Sequence, residues 1–113
     1  MAKGKLVLVP FPFDDQSGMK IRPALCLTNE LGPFRHTVLA FLTSQIPVDV
    51  QPTDLFLSPA HSDFTQTGLR GPGTVRLHRL ITTPAARIIR ELGELSPALQ
   101  LEIDTRLRTL FTL

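Results

Sequence analysis

The sequence predicts a small, mainly β barrel that is completed by a single C-terminal α-helix. Five or more short β-rich runs are separated by turns rich in glycine and proline, a pattern typical of small barrels. The last segment instead carries a helix cap and an apolar stripe with helical spacing. The chain has 113 residues, which fits one domain, and no linker or internal repeat divides it. We therefore expect one domain over residues 1–113, with the barrel at about 1–95 and the helix at about 96–111.

The first half of the chain contains three predicted strands. Lys5 to Phe13 is β-rich, and its two prolines indicate an edge strand or a strand that ends at a bend. A turn-rich loop follows from Asp14 through Ile21, and a second apolar run covers Ala24 to Thr28. Thr37 to Thr43 is almost continuously apolar, which predicts a central strand.

The second half contains shorter and less regular strands. Asp54 to Leu57 is a short strand, and Thr74 to Leu80 is a longer one that follows a glycine-rich loop. An imperfect alternation in the longer strand places two sets of side chains on opposite faces: Val75 and Leu77, with Arg79 as a candidate third member, against Arg76, His78 and Leu80. Ile88 to Leu95 is ambiguous, because its apolar residues fit a helix face but Gly93 interrupts it.

The C-terminal helix is the clearest element. Ser96 is a suitable cap, and Pro97 suits the first turn, where no N–H partner is needed. An apolar stripe then follows on one face: Leu99, Ile103, Leu107, Leu110 and Phe111. Two oppositely charged pairs lie four residues apart, in the favourable order: Glu102 with Arg106 and Asp104 with Arg108.

Composition narrows the class of protein further. The single cysteine, Cys26, lies in an apolar run, so we expect a buried, inert thiol in a reducing compartment such as the cytoplasm. The apolar N-terminal stretch is too short for a signal peptide or a membrane span. The net charge is only +2, but residues 61–90 carry five arginines against Asp63, a local net of +4. This basic region suits a polyanion partner, and equally suits ordinary solvated strand edges.

Several short motifs occur in a set order along nearly the whole chain. They are Gly4-Lys5-Leu6-Val7-Leu8-Val9-Pro10-Phe11 followed by Arg22-Pro23-Ala24-Leu25, then Ala40-Phe41-Leu42-Thr43-Ser44-Gln45, Thr67-Gly68-Leu69, Thr74-Val75-Arg76-Leu77 and Leu92-Gly93-Glu94-Leu95-Ser96. No single motif is specific to one family. The order and spacing of all of them in so short a chain are specific. On these motifs the chain resembles the MazF/PemK family of toxins from type II toxin–antitoxin systems.

The resemblance implies a fold, an activity and partners. The fold would be an SH3-like β-barrel with a C-terminal helix, forming a homodimer, and Ile88 to Leu95 would be a strand. The activity would be sequence-specific cleavage of single-stranded RNA, in which the 2′-hydroxyl attacks the phosphorus and leaves 2′,3′-cyclic phosphate and 5′-hydroxyl ends. This chemistry needs no metal or other cofactor, and the sequence has no His/Cys/Asp cluster with metal spacing. The partners would be RNA and a cognate antitoxin, together with which such toxins bind DNA.

Four residues are carried over as catalytic candidates. Arg22 matches the loop arginine before the second strand and could grip two phosphate oxygens, whereas its plain alternative is a surface arginine beside a turn proline. Thr43 matches a strand-end hydroxyl that could orient the phosphate or the 2′-hydroxyl, and otherwise bonds backbone. Arg76 and His78 fall where some members carry an arginine and an aspartate as proposed acid and base. The RNA-binding candidates are Lys20, Ser44, Gln45, Arg70 and Arg79.

Two departures from the family pattern leave other functions open. His78 replaces the carboxylate, and Gly73 stands where many members have serine. A catalytically inactive module that binds RNA or antitoxin therefore stays an alternative, as does a gyrase-binding toxin of the CcdB type on the same barrel. His36 and His61 match no motif and are expected to be solvent-exposed loop residues.

Overall fold

The computed structural model of the protein describes residues 1–12 and 19–113. The expected turn at 14–18 and the end of the first predicted strand, Phe13, lie outside the described residues. The elements are the strands β1 (Lys5–Pro12), β2 (Met19–Cys26), β3 (His36–Thr43), β4 (Leu55–Leu57), β5 (Gly73–Pro84) and β6 (Arg90–Glu94), and the helix α1 (Pro97–Phe111). The strands form one antiparallel sheet in the order β4-β5-β3-β2-β1-β6, which curls into a half-barrel. The expected mainly β fold with a terminal helix is confirmed, and β3 is central.

The prolines of β1 lie where one side of this strand lacks a neighbour in the described part of the sheet. β1 pairs with β2 through Pro12, but it pairs with β6 only from Lys5 to Leu8. A proline removes a ladder donor, so it is tolerated where the strand has an open edge. β1 is therefore an interior strand of the sheet and not the edge strand that was one of the two predictions, although its second half has no described partner on the β6 side.

β2 begins at Met19, so the expected loop through Ile21 was wrong in its last part. Lys20 pairs with Phe11 and Arg22 pairs with Val9, inside the ladder with β1. Arg22 is thus a strand residue and not a loop residue before the strand. The charged side chains and Pro23 hid the strand pattern, because this stretch is paired without being continuously apolar.

The core covers both faces of the central strands. One cluster includes Leu6, Leu25 and Leu77 and receives Leu99 and Ile103 from α1. The second cluster lies on the opposite face and is formed by neighbouring positions of the same strands: Val7, Val9, Ala24, Cys26, Leu39 and Phe41. Burial on both faces explains why β3 is almost continuously apolar. It also confirms that Cys26 is buried.

The helix is built as predicted, with two exceptions. The Ser96 hydroxyl accepts a hydrogen bond from the Leu99 N–H at 3.2 Å, and Pro97 occupies the first helical position. Phe111 is 52% exposed, so the apolar stripe ends before it. Asp104 forms its ion pair with Lys3, at 3.2 Å, instead of with Arg108. Among the described residues, no helix is long and apolar enough to cross a membrane.

The motif around Gly68 packs with its backbone directly against the backbone of the motif around Gly93, which lies in β6. Gly68 has φ +73°, and a Cβ added to it would overlap the Leu92 carbonyl. A Cβ at Gly93 would overlap the backbone of Gln66 and Thr67, the end of a short 3₁₀ turn. Glycine at both positions therefore allows the 3₁₀ turn to close against the strand. The ambiguous segment is a strand, as the resemblance implied, and it covers Arg90 to Glu94.

A bulge interrupts the pairing of β5 with β3. Phe41 pairs with Arg76 and the adjacent Ala40 pairs with Leu80, so Leu77, His78 and Arg79 have no partner on β3. Strict alternation would place Arg79 on the face of Val75 and Leu77, but Arg79 is exposed while these two are fully buried. The bulge re-aims side chains, as such features do in other sheets.

Candidate functional site

A cleft of about 180 Å³ lies between the ends of β1, β2, β3 and β5. It brings together six of the nine predicted site residues: Arg22, Thr43, Ser44, Gln45, Arg76 and Arg79. Phe11 and Phe41 also line it, with their ring centroids 3.6 Å apart in an edge-to-face arrangement. Among the described residues, the charged side chains that line the cleft are all arginines, and such a lining suits an anion.

Arg22 and Arg79 reach the cleft by different routes. Arg22 is held by the antiparallel register of β2, where it lies opposite Val9. Arg79 lies in the bulge of β5 and therefore lines the same cleft as Arg76. Guanidinium groups stay charged at any working pH and can bind phosphate oxygens in pairs.

Thr43 ends β3 at the mouth of the cleft. Its hydroxyl oxygen accepts a hydrogen bond from the Gln45 N–H at 3.2 Å. The plain alternative considered above, a strand-end threonine that bonds backbone, is therefore part of the structure. The two roles are compatible, because a hydroxyl that accepts this bond keeps a hydrogen to donate to a phosphate.

Arg76 is the most constrained of the cleft arginines. Its side chain is only 10% exposed, and its Nε atom lies 3.0 Å from Asp54 Oδ1. Its Nη1 donates to Asp49 Oδ1 at 3.3 Å. The hydrogen bond from Arg76 and the positive charge of this guanidinium lower the pKa of the Asp49 carboxyl. Arg76 therefore has an anionic partner on two sides.

His78 lies behind Arg76 and does not line the cleft. Its Nε2 atom is 3.4 Å from Arg76 Nη2, and its Nδ1 atom is 4.0 Å from Asp54 Oδ1. Arginine has only donors, so in this contact the Nε2 atom of His78 must be the acceptor. A neutral His78 then carries its proton on Nδ1, on the side of Asp54.

Lys20 and Arg70 do not line the cleft itself. Lys20 is exposed on β2, opposite Phe11. Arg70 contributes to two adjacent hollows, of about 230 and 370 Å³. The first of these shares Thr43 and Ser44 with the cleft, and the second is also lined by Arg90. A basic path thus continues from the cleft past Arg70 to Arg90.

Sequence reasoning missed two residues at this site and gave a third no individual role. Phe11 was seen only as part of a strand and a motif, Asp54 only as the start of a short strand, and Arg90 only as one of the five arginines in the basic region 61–90. The burial of Asp54 beside Arg76 depends on a pairing between β4 and β5 that has no local signal. The two other histidines lie away from the cleft. His61 is exposed as expected, whereas His36 is half-buried and is the first residue of β3.

Within residues 1–12 and 19–113, no group of three or more His, Cys, Asp or Glu side chains is arranged to hold a metal ion. The carboxylates of Asp49 and Asp54 contact the Arg76 guanidinium.

The family model of the PemK-like, MazF-like toxins of type II toxin–antitoxin systems matches residues 2–111. The chain belongs to this family. The resemblance seen in the sequence motifs is thereby confirmed, and members of the MazF family are generally endoribonucleases. No curated protein is significantly similar to the chain in sequence.

Solved MazF structures share this fold. An endoribonuclease in complex with its cognate antitoxin from a mycobacterial species matches with a TM-score of 0.69 and 24% identity, over 100% of this chain and 96% of that one. The Mycobacterium tuberculosis toxin MazF-mt6 matches with a TM-score of 0.68 and 20% identity, over 95% of this chain and 97% of that one. The MazE–MazF structure from Deinococcus radiodurans matches with a TM-score of 0.69 and 23% identity, over 100% and 97%.

Proposed function

We propose that the protein is the toxin of a type II toxin–antitoxin system and acts in the cytoplasm as a metal-independent endoribonuclease on single-stranded RNA. The observation that carries the proposal is the cleft that Arg22, Arg76 and Arg79 line together with Thr43. Three cations at one small site suit the charge that develops on a phosphate during cleavage. Family membership supplies the toxin assignment.

The proposed reaction is attack of the ribose 2′-hydroxyl on the adjacent phosphorus, which leaves a 2′,3′-cyclic phosphate and a 5′-hydroxyl. Arg22 and Arg76 would bind the non-bridging oxygens and stabilise the phosphorane. Thr43 would donate its hydroxyl hydrogen to the phosphate and so align it for in-line attack. His78, whose Nε2 atom contacts Arg76 Nη2, would take the 2′-hydroxyl proton as the general base.

The hollows beside the cleft would receive the flanking nucleotides. Ser44 lines both the cleft and the first hollow, Gln45 lines the cleft, and Arg70 lines both hollows. Unpaired bases can be splayed into such hollows, while a duplex keeps them stacked. This arrangement supports a single-stranded substrate. Lys20 and Arg79 would add contacts to the phosphate backbone of the RNA.

The decisive experiment is to incubate the purified protein with a long single-stranded RNA in excess EDTA and to map the ends. We expect cuts at a short recurring sequence with 5′-hydroxyl and cyclic phosphate ends. Cleavage that requires Mg²⁺, or that leaves 5′-phosphates, would contradict the mechanism. Intact RNA would favour the inactive RNA- or antitoxin-binding module. Intact RNA together with inhibition of gyrase would favour the CcdB-type alternative.

The partners proposed for the protein are a second copy of the chain and an antitoxin. A cleft of about 180 Å³ is smaller than a typical ligand pocket, so a second copy related by a two-fold axis would lengthen the groove. Light scattering at micromolar concentration should give the mass of a dimer, and a fully active monomer would contradict this.

The antitoxin is proposed to cover the same basic path with an acidic or amphipathic segment. The mycobacterial endoribonuclease was solved in complex with its cognate antitoxin, and the Deinococcus MazF was solved with MazE. Co-expression with the neighbouring gene should give an inactive complex that also binds DNA. A complex with full nuclease activity would be the contrary result.

A further inference from the structure

Asp54 is a buried carboxylate next to two of the catalytic candidates. Its side chain is only 4% exposed, although Asp is rarely buried without a partner. Oδ2 accepts a hydrogen bond from the Gln51 N–H at 2.9 Å, so this oxygen is committed to a local turn. Oδ1 faces Arg76 Nε at 3.0 Å and His78 Nδ1 at 4.0 Å. The two carboxylate oxygens therefore have separate tasks.

The contact between Asp54 and Arg76 is ionic. Both Asp54 Oδ1 and Arg76 Nε are buried without a directed hydrogen bond among the described residues, although they lie 3.0 Å apart. Removing one member of such a buried pair leaves the other charge uncompensated, which is costly. The buried contact with Asp54 therefore fixes the position of the Arg76 guanidinium. Because Arg76 lines the cleft, Asp54 also influences the shape of the cleft.

Asp54 is itself anchored from two directions. Its N–H donates to the Gln51 carbonyl at 3.0 Å, and its own carbonyl accepts from Arg106 Nε at 3.2 Å. The second bond ties this point of the barrel to helix α1. A group held in this way can fix a neighbour, because its own movement is restricted.

We infer that Asp54 is a positioning residue that holds the Arg76 guanidinium at the cleft and keeps the proton of neutral His78 on Nδ1. The charged groups that face His78 are Asp54, Arg76 and the exposed Asp49. The consequence for the cleavage rate rests on the proposed function, whereas the arrangement of the three side chains does not.

Asp54→Asn tests this with little change in size. The Gln51 N–H still needs an oxygen, so the new amide would turn its NH₂ group toward Arg76 and His78, both of which present donors. We expect kcat to fall about 10- to 100-fold, as when a catalytic group is misplaced by about 1 Å. Asp49→Asn should cost less, because Asp49 is 66% exposed and its contact is screened by solvent. Asp63→Asn makes the same chemical change away from the cleft and should cleave at the wild-type rate.

A double mutant separates positioning from general damage to the fold. If Asp54 acts through Arg76 as well as His78, then Asp54→Asn should change the rate by a clearly smaller factor in an Arg76→Ala background than in the wild type, because only the part that runs through His78 remains. The same large factor in both backgrounds would overturn the inference. Equal losses for Asp49→Asn and Asp54→Asn would overturn it as well.

NMR on the wild-type protein gives a readout that needs neither activity nor a variant. The ¹⁵N shifts of His78 at pH 8 should show a protonated Nδ1 and an unprotonated Nε2, and the Arg76 Nε–H signal should be protected from exchange. The opposite tautomer, or a freely exchanging Arg76, would overturn the inference even if Asp54→Asn failed to fold. If wild-type RNA cleavage in EDTA is absent while these signals are as expected, the proposed function fails and the positioning by Asp54 stands.

Discussion

The Nε2 atom of His78 lies 3.4 Å from the Nη2 atom of Arg76, so the nitrogen that would accept a proton already accepts a hydrogen bond. His78 can act as a base only after Arg76 Nη2 turns away, and a bound phosphate gives this donor another acceptor in the cleft. Substrate binding and activation of the base would then be one event. When the cleft is empty, His78 Nε2 would stay bonded to Arg76 and could not act as a base.

This coupling predicts a particular pH dependence for cleavage. Wild-type activity should fall as pH drops, because a protonated imidazole cannot accept the 2′-hydroxyl proton. His78→Ala should lose most of the rate, and His78→Asp should recover part of it with the falling limb at lower pH. The measurement is a set of pH–rate profiles for the three proteins. An alanine variant with the wild-type rate and profile would remove His78 from the mechanism.

Arg22→Ala should slow cleavage about 100-fold or more, as does the loss of one preorganised donor to a developing charge. Arg22→Lys is the matched control, since it keeps the charge but loses the two-pronged contact with phosphate. We expect it to be intermediate. Single-turnover rates should be compared with circular dichroism spectra, because β2 must remain paired with β1. Wild-type rates in the alanine variant would place the site elsewhere.

Thr43→Ala should impair cleavage, while Thr43→Ser should retain much of it. Serine keeps both the hydroxyl that accepts from the Gln45 N–H and the hydrogen available to a phosphate. We expect a loss of about 10-fold for alanine, as for the loss of one hydrogen bond worth about 1.4 kcal/mol. Equal rates for the two variants would show that Thr43 serves only the turn.

The Cys26 thiol should be unreactive in the folded protein. Burial raises the pKa of Cys26 from its ordinary value of 9.0 to about 11, so the thiolate is suppressed at neutral pH. The unfolded chain therefore loses this proton first, and stability should fall as pH rises from 9 to 11. Ellman's reagent at pH 8 should label the chain only in denaturant. In urea titrations, Cys26→Ala should show a weaker loss of stability over the alkaline range; rapid labelling of the native protein would contradict burial.

Gly68→Ala and Gly93→Ala should each lower the free energy of unfolding by about 1–3 kcal/mol. A Cβ at either position would meet backbone, and Gly68 also has a positive φ. Gly71→Ala is the control, because nothing lies within 4 Å of a Cβ there, and it should stay within about 0.5 kcal/mol of wild type. Urea denaturation measures all three. A neutral effect at Gly68 and Gly93 would show that the 3₁₀ turn does not close tightly on β6.

Elements with strong local signals were predictable from the sequence. The cap at Ser96, the buried positions Leu99 and Ile103 and the central β3 depend on spacing within one segment. The start of β2 was not predictable in this way, because Lys20 and Arg22 gain their strand conformation from pairing with β1. A local pattern cannot reveal a partner that lies on another strand.

Some residues of the candidate site were likewise predictable from the sequence, and others were not. Motif order indicated Arg22, Thr43 and Arg76, and the fold places them in one cleft. Asp54 could not be found, since its importance comes from burial beside Arg76 across the ladder between β4 and β5. The position of Arg79 depended on a bulge, and a strictly alternating strand would have placed it on the other face.

That bulge has an evolutionary consequence. His78 and Arg79 face no residue of β3, so exchanging either one disturbs no cross-strand pair. Arg76 lies opposite Phe41 and is enclosed by Asp49 and Asp54, so its replacement affects several neighbours at once. Within one strand, positions 78 and 79 are therefore free of cross-strand constraint, whereas position 76 is not. Substitutions can accumulate at the two unpaired positions, one of which lines the cleft, without rebuilding the barrel.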